Sequence, residues 1–357
     1  MSIILKGNNI SSNNDGIGPS EVTNIKASQN ASSIILSWTN PSNVVIDGTT
    51  LSTFDHVIIV RNEDHYPMSI KDGNTIYSGN GITCSDSNVI KNKKYYYRFF
   101  VYDTNKLCNN NMSMIIENTF YGIDPILKNN TWSQIAAASE SGIASSLWNI
   151  GDEIDVTLSG YYSDTVTLQI WDFNHYDKSD GTGKAGICFG MKNLMAEKTF
   201  MSTDSNNRGG WYASNLRKNN MQNILNSMPA SLQNVIKMVE IYTHAGGYGS
   251  ASEIEQGNSS YDKVFIPGYR ELFGDKNTSQ SNGEQGQQKF SIFTDNNSRI
   301  KKMYNGTGKA SKWWTRSPAF ATTSSSDTYY CIVSENGSSS GGYMGNSDTG
   351  ICFMFNV

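Results

Sequence analysis

Hard oxygen donors lie close together in the stretch WDFNHYDKSDGTG, residues 171–183. Carboxylate and amide oxygens are the ligands that Ca²⁺ takes in proteins, so this stretch is a candidate cation site. Its spacing does not fit the EF-hand loop, however, and its glycines are equally typical of a tight turn. We therefore interpret it as a turn whose carboxylates accept backbone hydrogen bonds, expect a structural hydrogen bond for the histidine, and assign no metal and no cofactor. The candidate ligands are Asp172, Asn174, His175, Asp177 and Asp180.

Catalytic groups do not gather into a recognisable constellation. The four histidines, His56, His65, His175 and His244, are scattered along the chain, and no triad can be nominated from them. Cleavage of a glycan would need two carboxylates about 5 to 10 Å apart across a cleft, and no motif indicates such a pair. The sequence therefore predicts a protein that is not an enzyme.

The cysteines show neither zinc-site spacing nor a complete set of pairs. An odd count excludes a fully paired disulfide framework, and no C-x-x-C occurs. We predict reduced, mostly buried thiols. Cys331 and Cys352 both lie on strand-like runs and are the one pair that could be neighbours. The cysteines are Cys84, Cys108, Cys188, Cys331 and Cys352.

Two aromatic motifs are candidates for ligand binding. In GGWYASNLRK, Trp211 and Arg217 could be presented to a ligand, but we favour packing and capping on an amphipathic helix as their role. Trp313 and Trp314 are adjacent, so in a strand they point to opposite faces. We expect one of them to be partly exposed, and only that one would stack on a sugar.

The closing part of the chain alternates serine- and glycine-rich loops, at 322–328 and 335–349, with tyrosine, asparagine and acidic residues. Such a composition is typical of binding loops, where tyrosine supplies rigid contact area and the small polar residues supply adaptable hydrogen bonds. Plain solvated hairpin loops are the alternative. The predicted ligand-binding residues are Asp327, Tyr329, Glu335, Asn336, Tyr343, Asn346 and Asp348.

Charge and hydropathy exclude two classes of partner. A net charge of -4, with 17% charged residues, gives no basic surface for nucleic acid or an anionic membrane. No apolar run approaches the roughly 18 to 20 residues of a membrane span, and the apolar run in MSIILKGNN is too short for a signal peptide. We expect a soluble protein that binds no nucleic acid, does not insert into a membrane and is not exported by the usual route.

The elements that would position these residues form several domains. Residues 1–18 are rich in Ser, Asn and Gly and indicate an extended docking arm. Residues 19–121 show short strands separated by turn residues, which is typical of an all-β sandwich. Alternation in KKYYYRFFVYD assigns alternate side chains, with Trp38 of the earlier strand IILSW, to its core. The core residues predicted on that strand are Tyr95, Tyr97, Phe99 and Val101.

A linker at 122–131 precedes a second domain at 132–357. TWSQIAAASESGIASSLW predicts a short amphipathic helix broken near Gly142, and a helical section runs from GWYASNLRKNN through PASLQNVIKMV, with Pro229 suited to a helix first turn. A polar insertion spans Asp275 to Gln288. Helices and strands without βαβ alternation predict an α+β domain.

Both domains resemble known families. Trp38 on the second strand, the segment VIIVRNEDHYPMSIKDGNTIYSG and the position of Tyr95 resemble a fibronectin type III module, which implies a spacer or presenter. The order of WSQIAAASESGIASSLW, GGWYASNLRKNN, YDKVFIPGYRELFG and KWWTRSP is similar to a domain family of unknown function from prophages of Gram-positive bacteria. That family looks C-type-lectin-like, which implies a tryptophan core beneath one face of exposed loops. The ending DTGICFMFNV lacks the family's usual Gly-Val-Arg-Pro type strand.

These resemblances imply a phage or phage-tail-like particle, assembled in the host cytoplasm and released by lysis. The expected role is a non-enzymatic receptor-binding, tail-fibre or baseplate component. Its arm would dock on other tail or baseplate proteins, and its closing loops would recognise a bacterial cell-surface glycan or surface-layer protein. A homo-oligomer, such as a trimer, follows from the analogy. The alternative is a structural virion decoration protein that contacts neighbouring subunits.

Overall fold

A computed structural model describes residues 16–203, 206–247, 257–274, 284, 287–303, 308–319 and 328–357. Most of the predicted arm, most of the polar insertion at 275–288, and the binding-loop residue Asp327 therefore lie outside the described residues. The chain divides into two units, Met1–Pro125 and Ile126–Val357. The division falls inside the stretch predicted as a linker.

The first unit is built from strands, as the short strands and turn residues of its sequence predict. The longest strands are rich in β-branched and aromatic residues, which β-strands favour. The strands are β1 (Thr23–Gln29), β2 (Ile34–Thr39), β3 (Val44–Ile46), β4 (Thr49–Ser52), β5 (Phe54–Asn62), β6 (Asn74–Gly79), β7 (Thr83–Asp86), β8 (Lys93–Asp103), β9 (Cys108–Asn109) and β10 (Ile115–Phe120).

Two sheets of this unit enclose one core. One sheet has the order β1-β2-β7 and the other β10-β8-β5-β6, with β9 against β8. Trp38 and the four residues predicted on β8 are buried in the shared hydrophobic cluster, so that prediction is confirmed. The hydroxyl of Tyr95 accepts a hydrogen bond from the backbone N–H of Ile90 at 2.8 Å, which fixes the turn that leads into β8. Arg61 of β5 pairs with buried Asp86 of β7 at 3.0 Å and thereby joins the two sheets.

The second unit mixes short helices with strands. Its helices are α1 (Trp132–Glu140), α2 (Ala144–Leu147), α3 (Gly210–Ala213), α4 (Met221–Ser227), α5 (Ala230–Gln233), α6 (Tyr269–Phe273) and α7 (Asn296–Arg299). A 3₁₀ turn at Leu127–Asn129 and a π-helical turn at Leu216–Asn220 accompany them. Its strands are β11 (Glu153–Thr157), β12 (Thr165–Phe173), β13 (Ile187–Met191), β14 (Lys198–Thr199), β15 (Val239–His244), β16 (Gly257–Asp262), β17 (Val264–Phe265), β18 (Trp313–Pro318), β19 (Tyr329–Val333), β20 (Ser339–Met344), β21 (Thr349–Gly350) and β22 (Met354–Asn356).

In the described part of this unit, the strands form two larger sheets and one ribbon. The first sheet has the order β11-β12-β13-β22-β17, so the last strand of the chain lies inside it. The second has the order β14-β21-β18-β19-β20, and β15 with β16 forms the ribbon. Among the residues that the structure describes, more lie in strands than in helices. None of the helices in the described part of the chain has the length and hydrophobicity that a membrane span requires.

Local sequence signals account for some of the helix ends. Thr131 caps α1 in a capping box with Gln134, and Gly142, with φ of 72°, ends the helix before α2 begins. The predicted break at Gly142 is thus confirmed. The predicted helical section is longer than the one that forms: Pro229 stands before α5 and not in its first turn, and the helix ends at Gln233. The chain then enters β15 at Val239, because pairing with β16 takes over its backbone hydrogen bonds.

Candidate functional site

The predicted binding residues lie on an antiparallel hairpin made of β19 and β20. Tyr329 pairs with Met344 and Val333 pairs with Ser339, so the hairpin turn carries Glu335 and the chain leaves β20 at the opposite end. β20 is an edge strand of its sheet in the described structure. The structure therefore divides the predicted site between the two ends of one hairpin.

One end of the hairpin brings four predicted residues into the same region. Tyr329 and Tyr343 are half-buried, whereas Asn346 and Asp348 are exposed in the turn between β20 and β21. The backbone of this turn is fixed, because Gly345 accepts hydrogen bonds from the N–H groups at 201 and 202, at 2.8 and 3.1 Å. Asn346 and Asp348 are thus exposed side chains on a turn whose backbone is hydrogen-bonded.

Tyr343 is anchored by a lysine and a tryptophan. The Nζ of Lys312 donates to the Tyr343 hydroxyl at 2.8 Å and lies 4.2 Å from the ring centroid. The Trp314 ring approaches Tyr343 edge-on, with the ring centroids 5.9 Å apart. The tyrosine is held in one orientation before binding. Its side chain therefore loses little conformational entropy when a partner binds.

The other end of the hairpin serves a structural role. Asn336 accepts hydrogen bonds from the backbone and hydroxyl of Ser338, at 3.1 and 2.7 Å, and shapes the turn. Gly337 has φ of 77°, and a Cβ there would lie 1.8 Å from the carbonyl oxygen of Asn296 in α7. Arg299 of the same helix donates to the Gly337 carbonyl at 3.0 Å. Glu335 is exposed beside this docked turn.

The expectation that one tryptophan of the pair at 313 and 314 is partly exposed is wrong. Both side chains are fully buried, because their strand β18 lies inside the sheet and each face is covered. Trp313 donates its ring N–H to the Arg299 carbonyl at 3.1 Å, and Trp314 donates to the Thr199 carbonyl at 2.8 Å. Neither ring is available to stack on a sugar.

A buried charged cluster includes Arg316 and Ser317 of β18, and it is absent from the residues predicted above. Arg316 and Glu271 are both fully buried and form two hydrogen bonds, at 2.6 and 2.7 Å. Tyr176 donates to Glu271 at 2.5 Å, and Ser317 donates to buried Glu284. The signal in the sequence is an arginine within the apolar strand WWTRS, which needs a buried acid as a partner.

The two acids of this cluster differ in their pKa. Burial acts to raise the pKa of Glu271, but the adjoining Arg316 guanidinium outweighs burial and holds it below its usual value. For Glu284, burial dominates and raises the pKa. Removing one partner of such a buried pair costs about 3–5 kcal/mol, since it leaves an uncompensated charge. We assign this cluster to stability, because both charged partners of the pair have no exposed surface.

The acidic stretch at 171–183 forms the turn that we favoured. The Asp172 carboxylate accepts hydrogen bonds from the backbone of Phe173 at 2.9 Å and from the Ser291 hydroxyl at 3.1 Å, and it contacts His175 at 3.1 Å. Asp180 accepts two hydrogen bonds from Thr182. Within the described ranges, no group of three or more His, Cys, Asp or Glu side chains is arranged to hold a metal ion.

Paired carboxylates do occur beside a cavity of about 520 Å³ that Trp132 also lines. Glu153 and Asp155 are alternate residues of β11 and therefore point to the same side. Glu153 pairs with Lys192 at 2.8 Å, and Asp155 accepts a hydrogen bond from Thr167 at 2.7 Å. Each carboxylate is thus engaged by a neighbouring side chain, one by a lysine and the other by a threonine.

The structure also shows the contacts of the remaining candidates, the Trp211 and Arg217 motif and the cysteines. Trp211 is fully buried and donates to Asp262 at 2.9 Å, and the same carboxylate holds Arg217 at 2.7 Å. Cys331 and Cys352 are both buried free thiols, and burial raises the pKa of Cys352 to about 11. The other three cysteines are free as well, although Cys108 is exposed.

Comparisons with known proteins cover both units. The profile of a family described as "Domain of unknown function (DUF6273)" matches residues 189–357. Among curated proteins, none matches the sequence.

Similar solved structures include the 6th fibronectin type III domain from human fibronectin type III domain containing protein 3, with 10% identity, 30% of this chain and 91% of that chain covered, and a TM-score of 0.23. A fibronectin type III domain derived from human KIAA0970 protein has 14% identity, coverage of 28% and 72%, and a TM-score of 0.22. The Clostridium perfringens spore cortex lytic enzyme SleM has 14% identity, 29% of each chain covered, and a TM-score of 0.21. At these TM-scores the likenesses carry no argument about function.

Proposed function

We propose that this protein is a non-enzymatic receptor-binding, tail-fibre or baseplate component of a phage or phage-tail-like particle. Its partner is a bacterial cell-surface glycan or surface protein. The observation that carries the proposal is the exposed pair Asn346 and Asp348 beside the anchored Tyr343, on a turn whose backbone is fixed. Rigid aromatic area next to adaptable polar groups is the composition of a recognition surface.

The proposal also assigns a role to each domain. The second unit is a C-type-lectin-like α+β domain in this proposal, on the strength of the order of its sequence motifs. The first unit is a fibronectin type III-like spacer, supported by its two-sheet core and by the Tyr95 hydrogen bond at the start of β8. The arm at 1–18 docks on other particle proteins, and a homo-oligomer, such as a trimer, raises avidity roughly 10² to 10⁴-fold.

A structural virion decoration protein is the alternative, and one observation favours it. The β3–β4 ribbon of the first unit exposes two large apolar side chains, Val45 and Ile46, at 55% and 48% of their surface. Apolar groups of this kind are buried where subunits contact one another. In this alternative the closing turn contacts a neighbouring subunit or only solvent.

A cell-binding measurement tests the proposal. The full-length protein, fluorescently labelled and multimerised, is titrated onto a panel of intact Gram-positive cells. A double variant, Asn346→Ala with Asp348→Ala, is titrated in parallel. We expect saturable binding to some strains and about tenfold weaker binding by the variant, since truncation of central contact residues costs that much or more.

The matched control also removes one carboxylate and one carboxamide, but at the other end of the hairpin, as Glu335→Ala with Asn336→Ala. Binding by this variant should equal that of the unmodified protein. Equal loss in both variants would place the binding surface elsewhere. If the folded, multimerised protein binds none of the strains, the decoration alternative replaces the proposal.

A further inference from the structure

A groove of about 290 Å³ runs between the α4 region and the β15–β16 ribbon. Met221, Leu225 and Met238 give it an apolar floor, and the half-exposed ring of Tyr261 stands at its side. The volume is close to the lower limit of about 300 Å³ for pockets that hold small ligands. The groove shares no residue with the hairpin of the proposed function, so a ligand bound in the groove is independent of that function.

Arg217 is fixed in this groove before any ligand arrives. Its Nε donates to Asp262 at 2.7 Å, its Nη1 donates to the Tyr212 carbonyl at 3.2 Å, and its guanidinium lies 5.2 Å from the Tyr212 ring centroid. Asp262 is itself held by Trp211 at 2.9 Å and Ser260 at 2.7 Å. The Arg217 side chain therefore loses little conformational entropy when a ligand binds.

The backbone that presents Arg217 and Lys218 is unusual. Both residues belong to the π-helical turn at Leu216–Asn220, where the N–H of Met221 donates to the carbonyl of Leu216. Such turns are rare and occur frequently at functional sites, because they displace one residue from the regular helical pattern. Here the displaced turn faces the groove with two consecutive cations.

The side chains that line the groove carry a net positive charge. Arg217 is neutralised by Asp262, but Lys218 and Lys263 also line the groove, and among the described residues neither forms an ion pair with a carboxylate. The chain as a whole has a net charge of -4, so this is a local excess of cations. Glu240 pairs across the ribbon with Tyr261 but does not line the groove.

We propose that this groove binds an anionic sugar, with the acidic group of the sugar between Lys218 and Lys263 and its ring against Tyr261. Carboxylate and phosphate groups form the strong, charge-assisted hydrogen bonds that lysine supplies. Tyrosine offers an apolar ring face to the sugar and keeps a polar tip in water. The methionine floor adapts to different ring substituents.

An anionic glycan fits better than nucleic acid. A single strand needs a basic track that follows several phosphates, together with successive aromatic platforms. The groove is short and, among the described residues that line it, has two unpaired cations and one tyrosine. It matches a local acidic group on a sugar ring, and nucleic acid becomes an outcome of the test.

The test is a glycan array with matched neutral, carboxylate-bearing and phosphate-bearing members, probed with the multimerised full-length protein. A double variant, Lys218→Gln with Lys263→Gln, and a single variant, Tyr261→Ala, are compared with it. Lys198→Gln with Lys309→Gln is the control, since it removes two exposed lysines outside the groove. Hairpin variant Asn346→Ala with Asp348→Ala separates this site from the proposed receptor site.

We expect selective binding to anionic members, about tenfold or more weaker in each groove variant and unchanged in the control and hairpin variants. Absence of binding, equal binding to neutral members, or binding unaffected by the groove variants overturns the proposal. Competition by a single-stranded oligonucleotide at equal concentration would indicate a nucleic-acid site instead. Loss only in the hairpin variant would assign the glycan to the hairpin and leave the groove without this role.

Discussion

His244 is a histidine that folding keeps neutral. Its side chain is buried, and burial lowers its pKa from 6.5 to about 4. Its Nδ1 accepts a hydrogen bond from the N–H of Gly246 at 2.8 Å, so the proton of the neutral ring is on Nε2. Protonating the folded protein would place an unpartnered charge in this site.

This residue predicts a pH dependence of stability. The unfolded chain takes up a proton on His244 near pH 6.5, whereas the folded chain does so only near pH 4. The histidine therefore lowers the free energy of unfolding as pH falls through that window and has no effect above it. His244→Gln should lose less stability than the unmodified protein between pH 7.5 and pH 5, as measured by urea unfolding followed by tryptophan fluorescence.

The comparison between the two proteins is needed because Glu284 acts in the opposite direction. Its pKa is raised by burial, so its contribution to stability falls as pH rises from its ordinary value. Both proteins contain Glu284, and its effect cancels in the difference. Parallel pH profiles for variant and unmodified protein would contradict the prediction.

At the scale of elements, the hairpin turn at 334–338 is docked on a helix. An alanine at Gly337 would have φ of 77° and would bring a Cβ to 1.8 Å from the Asn296 carbonyl oxygen. The left-handed backbone costs roughly 1–2 kcal/mol, and the forced separation from α7 costs about 1–3 kcal/mol more. Gly337→Ala should lower the free energy of unfolding by the sum of the two, measured with urea.

Gly142→Ala is the matched control for this variant. Gly142 has φ of 72°, but no atom lies within 4 Å of its added Cβ, so only the backbone cost applies. A smaller loss of stability than at Gly337 is the expected result. Equal losses would mean that the turn and α7 separate at no cost, and the docked end of the hairpin would then be mobile.

The sequence predicts a structural feature of an element when neighbouring residues along the chain determine that feature. Alternation along β8 identifies its four inward residues, because strand geometry alone places alternate side chains on one face. It does not reveal that Arg98 and Phe100 on the other face are also buried, at 3% and 2% exposure. Arg98 donates to the carbonyls of Pro67 and Met68, which belong to a loop far along the chain.

In the candidate site, too, the sequence does not predict features that depend on contacts between distant residues. Composition identifies the closing loops as polar and exposed, and Asn346 and Asp348 are exposed. Glu335 lies at the other end of the hairpin from these two residues because β19 pairs with β20. The register of that pairing shifts between Tyr330 and Ile332. Arg316 and its partners are distant in sequence, and only the folded sheet brings them together.

At the scale of the whole molecule, the division into two units predicts that the first unit folds independently of the second. The hydrophobic cluster of the first unit is formed by residues from Val22 to Phe120 alone. A fragment of residues 16–125 should therefore fold without the rest of the chain. Trp38, its sole tryptophan, should report one cooperative urea transition.

A core variant of the fragment is the control. Phe99→Ala should lower its free energy of unfolding by about 3–5 kcal/mol, since Phe99 is fully buried. A fragment with no cooperative transition and no near-ultraviolet circular dichroism would show that the first unit depends on the second. The measurement needs no ligand and is independent of both functional proposals.

The position of β22 affects how the second unit is made in the cell. This strand pairs with β13 on one side and β17 on the other, and Val357 exchanges hydrogen bonds with Ile187 at 3.0 and 3.1 Å. While the ribosome is still adding the residues before 354, β13 and β17 both present unpaired edges. Open edges of this kind attract other chains, so folding intermediates of this unit are expected to be substrates for chaperones during translation.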